Sequence, residues 1–391
     1  MKNLTKQLTA FAVSMIFAIG AAFSQSNTDP LNVVTTAVPF LRISPDARAG
    51  GMGELSTATS PDVNAQFYNL AKYPFSTNKA AIGVTYTPWL KELGLNDVYL
   101  AALSGYYKLD DLQAISVGFR YFSLGNIQFT DNMGNDLNSF RPRELSFDAG
   151  YSRKLSDNLS LGVGLRYIYS NLAGGTSING VSYNAGTAVS GDIGLYYTKI
   201  DETGSGWNFA GALTNLGSKI GYTDDPTQKD FIPANFSIGT VYTKTFNEVN
   251  KVSFGLDINK LLVPTPPSLG DSAGLAKYHN TGVVESWFTS WGDAPGGFSE
   301  ELKEFYFSLG AEYWYNEQFA FRTGYFYENK YKGNRQYFSV GASIKYNMFG
   351  LNFSYLLPTG NGVNRNPLSN TLRFGLVFDF GAGNSEGTTQ Q

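Results

Sequence analysis

The sequence predicts a transmembrane antiparallel β-barrel of about fourteen strands, all-β, with an N-terminal plug or hatch segment. Three observations predict it. Most of the chain alternates apolar and polar residues with period two, as strands do. Thr371–Phe380 puts Leu372, Phe374, Leu376, Phe378 and Phe380 on one face and Thr371, Arg373, Gly375, Val377 and Asp379 on the other. The connections between such segments alternate between short and long, as in an up-and-down barrel. The N-terminus reads as a secretory leader, and no later stretch is apolar enough for a helical membrane span.

Composition agrees with that class. The chain has 391 residues, net charge −3 and 16% charged residues, so nothing suggests nucleic acid as a partner. Aromatics reach 15%, with 25 Tyr, 29 Phe and 43 Gly. Tyr and Phe suit strands and interfacial girdles, and Gly suits tight packing. Absence of cysteine excludes disulfides, thiolate metal sites, Cys nucleophiles and a cysteine lipid anchor.

In chain order, residues 1–24 read as a signal peptide. Lys2 and Lys6 flank a charged start, Leu8 to Phe23 is almost unbroken apolar, and Ala22-Phe23-Ser24 offers a cleavage site before Gln25. Residues 25–79 read as a periplasmic or plug segment, of which 30–79 do not alternate. Its small residues and Pro and Asx turns suit a compact insert in the barrel mouth, with Arg42, Asp46, Arg48, Met52, Asn64, Phe67 and Asn69 as its candidate residues. The Gly50–Gly53 run is not a nucleotide loop, because its spacing is wrong and no Lys-Ser/Thr follows.

Residues 80–380 read as the barrel. Strands are expected at 80–87, 98–108, 113–123, 143–154, 159–171, 188–199, 206–215, 234–245, 249–259, 303–315, 318–328, 335–346, 349–357 and 371–380. The 98–108 segment fits either register. Short connections fall at Asp110-Asp111, Ser156-Asp157-Asn158, Asn247-Glu248, Asn316-Glu317 and Asn347-Met348. Long ones fall near 124–142, 172–187, 216–233, 260–302 and 359–370. An even strand count puts both barrel termini in the periplasm, and 381–391 reads as a flexible tail. Fourteen long strands are too many for an ordinary sandwich, so the apolar faces are assigned to lipid. Arg120, Arg166, Arg322, Arg373 and Lys345 then point inward beside Asp148, Asp192, Asp257, Glu312 and Asp379. A structural network is expected of them, with a selective ion path as the alternative.

Catalytic chemistry has little to build on. The one histidine, His279, lies in a loop near Asp271 and Ser272 with no nucleophile motif. No cofactor is expected. Asp224-Asp225 and Glu300-Glu301 read as solvated loop charges rather than calcium ligands. The informative loop is 260–302. It starts with Leu261, Leu262, Val263 and Pro264, stiffened by proline, and presents Trp287, Phe288, Trp291 and Phe298. Those residues are the candidate partner-binding set. The alternative is that the rings pack over the mouth or lie in the outer leaflet.

Phe40 to Gly53, Ser60 to Ala71 and Asn259 to Pro267 carry a resemblance. The sequence resembles the fourteen-stranded fatty-acid-transporter-like (FadL-like) barrels, whose N-terminal hatch has a similar small-residue signature. Within that group it is similar to the PorV (LptO) family of the type IX secretion system of Bacteroidota. Leu70 departs from the hatch signature, which often has Pro there. The resemblance implies an outer-membrane, non-enzymatic protein that sits beside the giant translocon barrel. It implies binding of the C-terminal signal domain of cargo and transfer to an attachment complex with a sortase-like protease. Besides those partners, only outer-membrane lipid is expected. The runner-up is a FadL-type channel for hydrophobic solutes, and an open general porin is weaker because of the plug.

Overall fold

The computed structural model describes residues 32–91, 94–130, 133–175, 177–178, 181–225, 228–267, 270–358 and 370–382. The expected leader, the 383–391 part of the tail and most of the 359–370 loop lie outside the described residues. The first half of the sheet comprises β1 (Asn78–Pro88), β2 (Val98–Lys108) and β3 (Gln113–Leu124). A small hairpin, β4 (Ile127–Thr130) with β5 (Asp136–Phe140), precedes β6 (Arg143–Lys154) and β7 (Leu159–Asn171). A second, β8 (Ser177–Ile178) with β9 (Val181–Ser182), precedes β10 (Gly186–Ile200) and β11 (Gly206–Gly217). Then follow β12 (Asn235–Asn247), β13 (Asn250–Leu261), β14 (Tyr306–Tyr315) and β15 (Phe319–Tyr327). The set ends with β16 (Gln336–Tyr346), β17 (Phe349–Pro358) and β18 (Leu372–Ala382).

All these strands except the two hairpins pair antiparallel with their neighbours, and β1 closes on β18, giving a 14-strand barrel. Closure leaves no unpaired edge, which is what a bilayer demands of a sheet. Every expected strand is present. Short turns use local chemistry: Asn316 and Glu317 both take positive φ (53° and 51°), the backbone of a tight two-residue hairpin. At the turn after β10, Asp201 Oδ1 accepts from Thr203 N (2.9 Å) and Ser205 N (3.0 Å).

The outward side chains are apolar and exposed, among them Leu165, Phe254, Phe321 and Phe338. Inward residues are buried, and they are mostly small or charged. The 98–108 ambiguity has a physical cause. Val98, Leu100 and Tyr106 face inward although apolar, because they pack against the plug, while Leu103 and Tyr107 face out.

The plug enters at the long-loop end, where Asn32 N donates to Tyr331 O (3.3 Å) and Ala37 N to Phe231 O (2.9 Å). It descends through a 3-10 turn Pro39–Arg42, a helical turn Ala47–Gly50 and 3-10 turns Val63–Phe67 and Leu70–Phe75. It leaves at the short-turn end, directly into β1. Asp46, Asp62 and Asn69 each cap the turn that follows them with a side-chain oxygen. The wall makes room for it: a Cβ at Gly324 would collide with the Met52 backbone, and one at Gly194 with the Asn69 amide.

Candidate functional site

Two places combine chemistry with access: the cap built by the long loop after β13, and the lumen between that end and the plug. The plug is held by ionic and backbone anchors. Arg48 Nε and Nη2 donate to both oxygens of Glu312 on β14 (2.9 and 2.7 Å), and Arg48 Nη1 donates to Asp62 (2.9 Å) and to Ser60 O (3.0 Å). Arg322 Nε shares Glu312 (2.5 Å). Asp257 Oδ2 accepts from Ser56 N and Thr57 N, both 2.8 Å. Asn64 Nδ2 donates to Asp46 (2.9 Å) and Asn69 Nδ2 to Leu195 O (3.0 Å). A guanidinium has five donors in a fixed fork, and such a set of acceptors satisfies it inside a wall with little water.

The inward charges predicted from parity do form networks. Arg166 bridges Asp148 and Asp192 (2.8 Å to the latter), Arg373 reaches Glu54 (2.8 Å), and Lys345 reaches Asp379 (2.6 Å). Toward the long loops the plug leaves a cavity of about 720 Å³, walled in part by Leu41, Phe67, Trp89 and Phe122 and by Arg42, Arg120, Arg335 and Arg373. Phe67 lies under Arg120, whose guanidinium carbon sits 5.1 Å from the ring centre. Above it, Glu328 accepts from Arg42 (3.1 Å) and twice from Arg335 (2.7 and 2.9 Å). Burial pushes the Glu328 carboxyl up, but Arg335 and then Arg42 outweigh it and hold it below its ordinary range.

The cap is ordered rather than featureless. Helices run over Ser272–Asn280, Val283–Thr289 and Phe298–Glu301 within what the sequence shows only as a long loop between strands. Leu261, Leu262, Val263 and Pro264 are buried, Leu261 and Val263 in a cluster with Val34 and Phe231. Proposed from sequence as partner contacts, these four lie buried in this structure, with Leu261 and Val263 packed against Val34 of the N-terminal segment. Half-buried Trp287 contributes little surface. The exposed set is Val284, Phe288 and Trp291, at i, i+4 and i+7, and Phe298 with Leu302. Phe288 is 75% and Phe298 76% exposed. Ser286 and Ser290 turn inward on the opposite side of the helix. Trp291 rests edge-on against Phe236 at the wall (5.3 Å between rings).

Charges expected to be solvated brace this cap instead. Lys260 has the same parity as the outward Phe254, Leu256 and Ile258, yet it is fully buried. Its ammonium lies 2.6 Å from Glu301 and 2.7 Å from Glu304, which fold over it. Lys332 lies 2.6 Å from Glu300 and 2.9 Å from Glu304. Thr265 Oγ1 donates to Glu304 (2.6 Å) or Asp293 (3.1 Å). Asp293, Glu301 and Glu304 converge within 4.8 Å, with lysine ammonium groups already among them. Sequence reasoning missed this network. Its one signal is Lys260, a cation on the lipid-side parity that needs a partner. Asp271 caps the helix carrying His279: its Oδ1 accepts from Gly274 N (2.8 Å).

Comparison with protein families decides the relationship. The model described as type IX secretion system protein PorV matches residues 25–268. The chain belongs to the PorV family. PorV-family membership and a closed 14-strand barrel together make it an outer-membrane component of type IX secretion. Among solved structures, a TodX deltaS2S3 mutant monoaromatic hydrocarbon channel matches with TM-score 0.51 and 14% identity, over 85% of this chain and 97% of that one. The Ralstonia pickettii toluene transporter TbuX matches with TM-score 0.51 and 13% identity, over 86% and 98%. The Pseudomonas putida toluene transporter TodX matches with TM-score 0.50 and 14% identity, over 89% and 98%. At such identities these likenesses establish the fold alone. Comparison with curated proteins returned no match.

Proposed function

We propose that this PorV-family barrel is a non-enzymatic cargo receptor and shuttle. It binds the C-terminal signal domain of proteins leaving the translocon barrel and delivers them to the cell-surface attachment complex. On this reading the long-loop end faces outward and both barrel termini are periplasmic. The observation that carries it is the cap: exposed Phe288 and Phe298 stand on short helices, with Trp291 just past the first of them, in a loop braced by buried Lys260 and Lys332. Braced aromatics lose little entropy on contact, which is how binding hot spots are built. Plug residues Arg42, Asp46, Arg48, Met52, Asn64, Phe67 and Asn69 serve to hold the lumen shut while the surface works. Replacing 272–301 by a short Gly/Ser linker tests this in cells. Cargo retained in the periplasm, with the barrel still heat-modifiable, is the expected result; normal secretion by a folded variant overturns it.

The runner-up, a channel for hydrophobic solutes, draws on the cavity of about 720 Å³ and on the transporter fold of the structural neighbours. It needs an apolar route through the plug, where Arg48, Glu312 and Asp62 stand instead. Uptake of a radiolabelled monoaromatic solute by cells with and without the protein separates the two readings.

A further inference from the structure

Residues 32–37 form an arm that crosses the cap before the chain turns down into the lumen. Val34 is the one buried side chain in it, and it enters the apolar cluster of Phe231, Leu261 and Val263, with Tyr278 and Val283 packed alongside. Asn32 N bonds to Tyr331 O (3.3 Å), Ala37 N to Phe231 O (2.9 Å), and Asn32 Nδ2 to Glu300 Oε1 (3.2 Å). The chain below is seated more firmly. Phe40 and Leu41 are buried in a separate cluster with Trp89, Leu100 and Phe122, and Arg42 pairs with Glu328.

Between the two stands Val38, with φ 46° and ψ 52°. A β-branched residue in this left-handed region is strained, because its Cβ crowds the following carbonyl oxygen. Pro39 adds to the strain, since a proline ring pushes the residue before it toward extended backbone. Such a conformation persists only where both flanks fix it. It relaxes when the weaker flank lets go, and that flank is the arm. From this geometry we infer that residues 32–37 are a strap under tension. The strap lifts off the cap while the plug below Pro39 stays seated, and it uncovers an apolar groove of Phe231, Leu261, Val263 and Tyr278. At rest the chain's own Val34 occupies that groove and closes it to any other segment. The strap is separate from the exposed Phe288 and Phe298 and does not depend on cargo binding.

The chain has no cysteine, so single cysteines report access. Val34 and Leu41 are each 7% exposed, and a rigid molecule would label Val34→Cys and Leu41→Cys alike. In the full chain purified in neutral detergent, Val34→Cys is expected to react with a maleimide about tenfold faster or more, because the arm opens locally and the plug does not. Adding Val38→Gly or Val38→Ala to Val34→Cys reads the strain. Both remove the branched side chain, and only glycine is at ease in the left-handed region. Glycine is expected to slow the labelling severalfold relative to alanine, whereas in ordinary backbone the looser glycine would speed it. Equal labelling at 34 and 41, or labelling as fast with glycine as with alanine, overturns the strap. If a cysteine variant is not heat-modifiable, hydrogen exchange of the unsubstituted chain decides. An Ala37 amide that exchanges about tenfold faster than that of Ile43 supports the strap, and equal rates overturn it.

Discussion

At the scale of single residues, the plug depends on fixed charge pairs in a wall that excludes most water. Arg48 joins the plug to β14 through Glu312 and to its own chain through Asp62. Removing one partner of a buried pair leaves the other uncompensated, at about 3–5 kcal/mol. Arg48→Met is therefore expected to lower the thermal midpoint of the folded barrel clearly, read as the shift in gel mobility on heating. Glu328 gives a pH prediction. Its folded value lies below the ordinary 4.5, so its pairing stabilises the 328–335 loop above pH 4.5 and is lost as pH falls through the folded value. Hydrogen exchange in 329–335 should rise on acidification to that range, and Glu328→Gln should show fast exchange at every pH. Parity alone identified the inward Arg120, Arg166, Arg322 and Arg373. The partners of Arg48 and Lys260 were not legible, because a period of two says nothing about which distant loop folds over a given position.

Elements were more legible than contacts. All barrel strands were readable because one lipid-facing and one enclosed face impose strict alternation, and a slip of one residue would reverse every side chain. The exception was 98–108, where the plug presents an apolar surface to the inside and the contrast between faces fades. The helices of the long loop were not legible because they are short, the longest running only Ser272–Asn280. Tertiary anchoring sustains such helices rather than propensity. Leu262 N bonded to Ala234 O (2.8 Å) and Lys260 among its glutamates supply that anchoring. Lys260→Met should leave Glu301 without a close cation and Glu304 with Lys332 alone. The expected outcome is faster hydrogen exchange across 283–304 with the strands' protection unchanged; equal protection would show that the lysine does not brace the cap.

For the whole molecule, a closed barrel holds a plug in its lumen and an ordered cap at its long-loop end. The plug runs from the long-loop end to the short-turn end, tying the cap's N-terminal neighbour, Val34, to the same chain that closes the lumen below. Fold and family were legible from pattern and from the hatch-like stretch Phe40–Gly53, whereas the cap's exposed surface emerged only with burial. On the proposed function, the cap receives cargo. The most direct measurement is the affinity of purified full-length barrel for an isolated cargo C-terminal domain, with and without Phe288→Ala and Phe298→Ala together. Loss of affinity by tenfold or more, about 1.4 kcal/mol, in a variant with unchanged heat-modifiability is the predicted result. Unchanged affinity in that folded variant would contradict the account.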